Sequence, residues 1–168
     1  MNYHDIKKCD MLNGDGIRVS LWVSGCEHNC NQCQNPQTWD VNNGVPFDED
    51  AEKELFEVLN KEYISGITFT GGDPLHENNL EDVLNLVNKI RLLSPQKTIW
   101  LYTGYTWETI MNDVKRREIV LNCNVIVDGQ YIDEQRDVTL RWRGSSNQRV
   151  IDVQRTINKG EIYESEEK

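Results

Sequence analysis

The sequence predicts an α/β fold in a single domain, with a mostly parallel curved sheet and flanking helices. The first observation behind this is alternation: short runs rich in β-branched and aromatic residues are separated by stretches with helical apolar spacing. The second is that each predicted strand stops at a loop or turn of distinctive composition, and a parallel sheet gathers such strand ends along one edge. The third is length. The chain has 168 residues, enough for one hydrophobic core but short of the ~250 that eight β/α units typically take. A partial (β/α) barrel or open curved sheet is therefore expected, with residues 1–168 as one domain.

The elements follow in order. Residues 1–16 are polar and close on Asn13-Gly14-Asp15-Gly16, a turn that feeds the first strand. Residues 17–23 alternate apolar and polar and read as that strand. A cysteine-rich loop follows, and 37–47 is expected to be irregular, punctuated by Gly44 and Pro46. Asp48 or Asp50 caps a helix with Ala51, Leu55, Val58 and Leu59 on one face. Residues 67–70 form a short strand running into Gly71-Gly72-Asp73-Pro74. Asn78 or Asn79 opens a second helix with Leu80, Val83, Leu84, Val87 and Ile90 at helical spacing, and Pro95 lies beyond its end. Residues 98–102 form a third strand, ended by Thr103-Gly104-Tyr105, and Thr106 caps a third helix with Trp107, Ile110, Met111 and Val114 inward. Residues 125–127 make a fourth strand that stops at Asp128-Gly129. Weaker patterns predict strands near 138–142 and 149–153, and a flexible acidic tail from about 160.

Charge and composition narrow the function. The net charge is −10, with acid concentrated at 48–57 and 161–167. Such a chain lacks the basic footprint of a nucleic-acid binder. No apolar run approaches the ~20 residues of a membrane-spanning helix, and the first residues lack the basic-then-apolar pattern of a secretory signal. A cytoplasmic protein is expected. Its five cysteines are odd in number and crowded, which suits metal binding in a reducing compartment better than a disulfide framework.

Three of those cysteines, Cys26, Cys30 and Cys33, follow the first strand in C-x3-C-x2-C spacing. Thiolates suit zinc, copper(I) and iron–sulfur clusters. The same positions are also i, i+4 and i+7, so a buried helix face is one reading, opposed by Gly25, Asn29, Asn31, Asn35 and Pro36. A structural zinc site is another, and needs a fourth ligand from His28, His4, His76, Cys9 or Cys123. An electron-transfer cluster ordinarily takes four cysteines, and Cys123 is predicted at the far end of the sheet; Cys9 and Cys123 read as buried or unpaired thiols. The remaining reading is a [4Fe–4S] cluster with three protein ligands and one iron open to a ligand.

The three-cysteine loop after the first strand and the Gly-Gly-acid-Pro turn after the second together resemble the radical S-adenosylmethionine enzymes. Further motifs are Asn13-Gly14-Asp15-Gly16-Ile17-Arg18, Gly25-Cys26, Cys33-x-Asn35-Pro36, Thr38-Trp39 and Gly144-Ser145-x-Asn147-Gln148-Arg149. With these the chain resembles, from about residue 3 to 153, the anaerobic ribonucleoside-triphosphate reductase activating proteins.

The resemblance implies a partial barrel of the radical-SAM type, one [4Fe–4S] cluster on Cys26, Cys30 and Cys33, and S-adenosylmethionine as cosubstrate. It implies that the cofactor is held by Gln32, Cys33 and Gln34, by Gly71, Gly72, Asp73 and Pro74, and by Thr103, Gly104 and Asp128, with Tyr105 and Gly129 beside them. In that picture the Gly71–Gly72 carbonyls and the Asp73 side chain accept hydrogen bonds from the cofactor ammonium. Asn35 and Trp39 are expected at the cluster mouth, and Arg141, Arg143, Asn147 and Arg149 against the cofactor carboxylate or a partner. That partner is a large glycyl-radical reductase subunit, with a flavodoxin- or ferredoxin-like electron donor. Activation of another glycyl-radical enzyme, of the pyruvate formate-lyase type, and a non-catalytic zinc or iron–sulfur module are the alternatives. Two departures stand out: Gln32 replaces the aromatic residue common before the third cysteine, and Asp73 replaces the usual glutamate.

Overall fold

The computed structural model describes residues 1–165. Among them the strands are β1 (Asn2–Asp10), β2 (Arg18–Val23), β3 (Val45–Pro46), β4 (Gly66–Gly71), β5 (Thr98–Tyr102), β6 (Val125–Asp128) and β7 (Arg149–Asp152). The helices are α1 (Glu49–Leu59), α2 (Leu80–Leu93), α3 (Trp107–Met111), α4 (Val114–Leu121) and α5 (Val153–Lys159). All seven strands join one open sheet in the order β3-β1-β2-β4-β5-β6-β7. The centre, β2-β4-β5-β6, is parallel. Both margins are antiparallel, with β1 against β2 and β3 on one side and β7 against β6 on the other. The expected mostly parallel sheet is thus a mixed one with a parallel core.

The two faces of this sheet carry different chemistry. Val19, Leu21, Val23, Ile67, Phe69, Ile99, Leu101 and Ile126 pack with the buried stripes of the helices into the main core. Asp48 caps α1 by accepting from the Ala51 amide at 2.9 Å, as its position before the apolar stripe predicts. On the opposite face, Trp100, Val127 and Val150 form a smaller cluster with Tyr102, Val125 and Trp142. The period of two puts Arg18, Ser20, Trp22, Thr68 and Thr70 on that second face too. Residues 11–16 and 130–148 cover it: the Asn13 carbonyl accepts from Thr68, and the Trp142 ring meets Trp100 edge-on at 5.5 Å.

Several local expectations change. Residues 2–10, expected as a polar lead-in, form a full strand between β3 and β2; only Ile6 and Asp10 of it are buried, so no alternation marks it in the sequence. The irregular 37–47 segment contains the two-residue β3. Residues 138–142 are not a strand: they belong to the covering loop, where Val138 is 81% exposed and Trp142 takes a left-handed φ of 67°. The third helix is split in two, since Asp113 caps a new one by accepting from the Arg116 amide and Val114 faces solvent. The 149–153 strand ends at Asp152, which caps the unexpected α5. The tail expected to be free from about 160 is docked as far as it is described. The Asp152 amide donates to Tyr163 O at 3.0 Å and the Ser165 amide to Val150 O at 2.7 Å. The rest of the expected tail, 166–168, lies outside the described residues.

Candidate functional site

The parallel strands β2, β4, β5 and β6 deliver four loops to one edge of the sheet, as the alternating pattern requires. The loop after β2 is fixed through its backbone. Gly25 donates its amide to Thr38 O at 2.7 Å and Cys26 to Trp39 O at 3.0 Å. The turn after β4 is laced onto it, the Gly72 amide reaching Val23 O at 2.8 Å and the Asp73 amide reaching Gly25 O at 2.7 Å. This contact explains the glycine pair: a Cβ on Gly71 would stand 2.7 Å from Val23 N, and one on Gly72 would stand 2.6 Å from Gly25 O. The glycines are therefore required by the neighbouring backbone, whatever ligand also approaches them.

Asn29 and Gln32 adopt left-handed φ values of 50° and 60°, so the cysteine segment is an irregular loop and the buried-helix reading falls. Cys33 donates its amide to Cys30 O at 3.2 Å, and the Asn35 amide points at Cys33 Sγ at 3.4 Å. Cys26, Cys30 and Cys33 all line one cavity of about 500 Å³. Gln34, Asn35, Gly71, Gly72, Asp73, Thr103, Gly104, Gly129 and Arg143 share its wall, and Leu12, Trp22, Leu140 and Trp142 give it an apolar side.

Burial pushes the Cys26 thiol up to about 12 and also raises Cys30. Such thiols become thiolates when a bound cation supplies the compensating charge. Among the described residues no three His, Cys, Asp or Glu side chains are gathered tightly enough to hold one metal ion. The three thiols share the wall of one cavity, and cysteine thiolates are the ligands that iron–sulfur clusters take. Of the fourth zinc ligands considered, only His28 shares the wall of this cavity. Cys123 is fully buried ahead of β6, Cys9 is exposed on β1, and His28 is engaged by Asp73. The donor set fits an iron–sulfur cluster with three protein ligands.

Asp73 departs from expectation. Its carboxylate was expected to face a ligand ammonium, yet it is 2% exposed and already occupied. Oδ1 accepts from the Leu75 amide at 2.8 Å and from Thr103 Oγ1 at 2.9 Å. Oδ2 lies 2.6 Å from His28 Nε2 and accepts from the Gly104 amide at 2.9 Å. Gly104 must be glycine for this: a Cβ there would sit 2.4 Å from the His28 ring.

Asp128 is also occupied, taking Arg149 Nε at 3.0 Å on Oδ1 and the Trp107 amide at 2.7 Å on Oδ2. Arg149 bridges to Glu108 as well, and these groups line a second hollow with Asn147, outside the wall of the first. Gln32, Pro74 and Trp39 are outside that wall too. The structure therefore assembles Cys26, Cys30, Cys33, Gln34, Asn35, Gly71, Gly72, Asp73, Thr103, Gly104, Gly129 and Arg143, and sets the others apart. Sequence reasoning missed His28 and Gln130 as members of the site. His28 was visible inside the cysteine loop, but only as a candidate zinc ligand.

Comparison with known proteins gives the family. A family model described as a 4Fe-4S single cluster domain matches residues 12–151. A protein of Enterobacteria phage T4, an anaerobic ribonucleoside-triphosphate reductase-activating protein, is 45% identical over 150 residues, covering 89% of this chain and 93% of its own length. The chain belongs to this family. Its members of the same name from Escherichia coli and Pasteurella multocida are 44% and 40% identical, covering 89% and 88% of this chain and 97% and 95% of their own lengths. No helix among the described residues is long and apolar enough to cross a membrane.

Proposed function

We propose that this chain is a radical S-adenosylmethionine enzyme that installs a glycyl radical on an anaerobic ribonucleoside-triphosphate reductase. The observation that carries the reading is the placement of three thiols of one loop on the wall of a cavity that also takes in the Gly71-Gly72 turn. The relatives' names supply the target, and the match to a single-cluster 4Fe-4S model supports iron–sulfur chemistry. In this reading Cys26, Cys30 and Cys33 each hold one iron of a [4Fe–4S] cluster and leave the fourth iron to the cosubstrate. Such a cluster would supply the one electron for reductive cleavage of S-adenosylmethionine at its C5′–S bond, giving methionine and the 5′-deoxyadenosyl radical that would take hydrogen from a glycine of the reductase.

The chain's own residues position and shield. The Gly71 and Gly72 carbonyls accept from the cosubstrate ammonium, and Arg143, which reaches the same cavity, is the cation for its carboxylate. The backbone at 32–34 flanks the adenine, which needs no side-chain stacking from the exposed Gln32. Thr103 and Gly104 face the ribose side, and Asn35 stands at the cluster mouth. Leu12, Leu140 and Trp142 keep water from the reacting carbon. No side chain acts as acid, base or nucleophile, since the cofactors carry the chemistry.

The reading includes a partial barrel of the radical-SAM type over residues 1–168, a flavodoxin- or ferredoxin-like donor, and a reducing, cytoplasmic setting for the cysteines. The test is anaerobic reconstitution with iron and sulfide, reduction with S-adenosylmethionine present, and addition of a ribonucleotide reductase or a pyruvate formate-lyase type partner. An iron–sulfur absorption band, 5′-deoxyadenosine, and a glycyl resonance with the reductase are expected. A chain that takes up no iron, or forms no 5′-deoxyadenosine, overturns the proposal; a glycyl signal only with the lyase reassigns the target.

A further inference from the structure

A carboxylate offers about four lone-pair sites, and those of Asp73 are filled by His28, Thr103, and the amides of Gly104 and Leu75. Each donor but one comes from a different strand-end loop. His28 belongs to the cysteine loop, Thr103 and Gly104 to the turn after β5, and Leu75 to Asp73's own turn after β4. The fourth loop is tied in through His28. With its proton on Nε2, the ring donates to Asp73 and accepts at Nδ1 from Gln130 Nε2, 3.3 Å away in the loop after β6. The ring is further seated edge-on against Tyr105, with centroids 4.6 Å apart. Gln130, His28 and Asp73 thus connect all four loops of the cofactor edge in one chain of hydrogen bonds, buried at Asp73 and open to solvent at Gln130.

We infer that His28 and Asp73 form a clamp that sets the cysteine loop over the cofactor cavity, and that Asp73 acts through this clamp without touching the cofactor. The inference deepens the proposed radical S-adenosylmethionine reading and rests on it. A carboxylate with every lone pair taken has nothing left for a ligand ammonium, which is then met by the backbone carbonyls of the turn. It also gives Asp73 a reason to be shorter than the usual glutamate: one more methylene would drive the carboxylate off His28 and the Gly104 amide. His28 and Asp73 are positioning residues. The cysteine loop has its own backbone anchors at Gly25 and Cys26, so it can still hold the three thiols when the clamp is cut.

The test compares His28→Leu, His28→Gln, Asp73→Asn, Asp73→Glu and the His28→Leu/Asp73→Asn double variant in the reconstituted full chain. Iron content, the KM for S-adenosylmethionine in 5′-deoxyadenosine formation, and the resonance spectrum of the reduced cluster before and after S-adenosylmethionine are measured for each. Losing a hydrogen bond to a charged group is expected to raise the KM of His28→Leu about 10-fold. Iron content should be unchanged and the spectral response to S-adenosylmethionine weakened. His28→Gln restores a donor and most of the affinity. The double variant should be no worse than the poorer single one, because both changes cut the same link. In the cluster-free chain, His28→Leu should speed amide exchange across residues 26–33 and leave β4 and β5 unchanged.

Additive effects in the double variant, or an Asp73→Glu protein with wild-type or lower KM, would mean that Asp73 contacts the cofactor and would overturn the clamp. A His28→Leu protein with unchanged KM and spectrum would do the same. Should His28→Leu take up no iron, Gln130→Leu removes the partner of His28 Nδ1 without touching an assigned cofactor contact, and is held to the same KM and spectral outcomes. Failure of the wild-type chain to cleave S-adenosylmethionine would sink the underlying reading before any variant is compared.

Discussion

Replacing Arg18 with lysine should destabilise the chain measurably while keeping its charge. Arg18 is fully buried between β2, β4 and β5. Its guanidinium donates to Thr68 Oγ1 at 2.8 Å, Ile67 O at 2.7 Å, Thr98 Oγ1 at 2.9 Å, Thr98 O at 3.0 Å and Asp15 O at 2.9 Å. Burial pulls its pKa down to about 10, so it stays charged at neutral pH, held by neutral acceptors on three segments. A lysine ammonium has three donors at a single point and no planar fork, so at least two of these acceptors lose their partner. At about 1 kcal/mol for each bond, the cost is about 2 kcal/mol, which for a chain of this size lowers Tm by roughly 4–8 °C. The assay is anaerobic thermal denaturation of the cluster-free chain followed by far-ultraviolet circular dichroism. A Tm within 2 °C of wild type would refute the reasoning, because it would mean the fork geometry contributes nothing. The Asp15 contact also ties the 11–16 segment to the sheet, so the same variant should expose Leu12 and Asn13 to faster proteolysis.

Four other outcomes follow from the structure. Cys26→Ala, Cys30→Ala or Cys33→Ala should abolish 5′-deoxyadenosine formation, read by chromatography of the product; full activity in any one would show that it is not a ligand. Arg149→Met should cost about 3 kcal/mol in urea denaturation, because it leaves the 1% exposed Asp128 carboxylate without its cation. Burial raises the Asp10 carboxyl, but hydrogen bonds from Ser20, Asn13 and the Leu12 and Asn13 amides outweigh it and hold it below its ordinary value. A depressed acid stabilises the fold above its unfolded pKa and loses that contribution as pH falls through the folded one. Wild-type stability should therefore drop below about pH 4, and Asp10→Asn should be weaker at neutral pH with a flatter acid limb. In the native cluster-free chain, iodoacetamide should label the exposed Cys9 and spare the buried Cys123, as peptide mass mapping would reveal.

What could be read in the chain were features whose cause is local. The two periodicities located β2, β4, β5 and β6 and the apolar stripes of α1 and α2, and from their order the shared edge of the four loops follows. Elements without a local signature escaped. β1 buries only Ile6 and Asp10, so it has no alternation to detect. Its partner β3 is two residues long. Val138, Leu140 and Trp142 alternate like a strand, yet they serve a loop laid over the second face of the sheet, and nothing local distinguishes the two uses. The site divides the same way. Cysteine spacing and turn glycines marked its outline, but which donors reach Asp73 depends on residues 30 and 45 positions away in the chain. The hydrogen bonds that Asp73 and Asp128 accept from neighbours in space have no local signature by which the sequence could announce them.

The cysteine loop belongs to neither apolar cluster: Cys26, Cys30 and Cys33 are absent from both, and backbone bonds to Thr38 and Trp39 fix its base. Small metal domains fold only as they bind, so losing the metal is losing the shape. Here the hydrophobic work is done between the sheet and its helices, on the other side from the thiols. Oxygen that strips iron from this chain would take away its chemistry and leave its architecture standing, a vessel emptied but not broken. For an enzyme of anaerobic life, inactivation by air then becomes an interruption that fresh iron and sulfide can end.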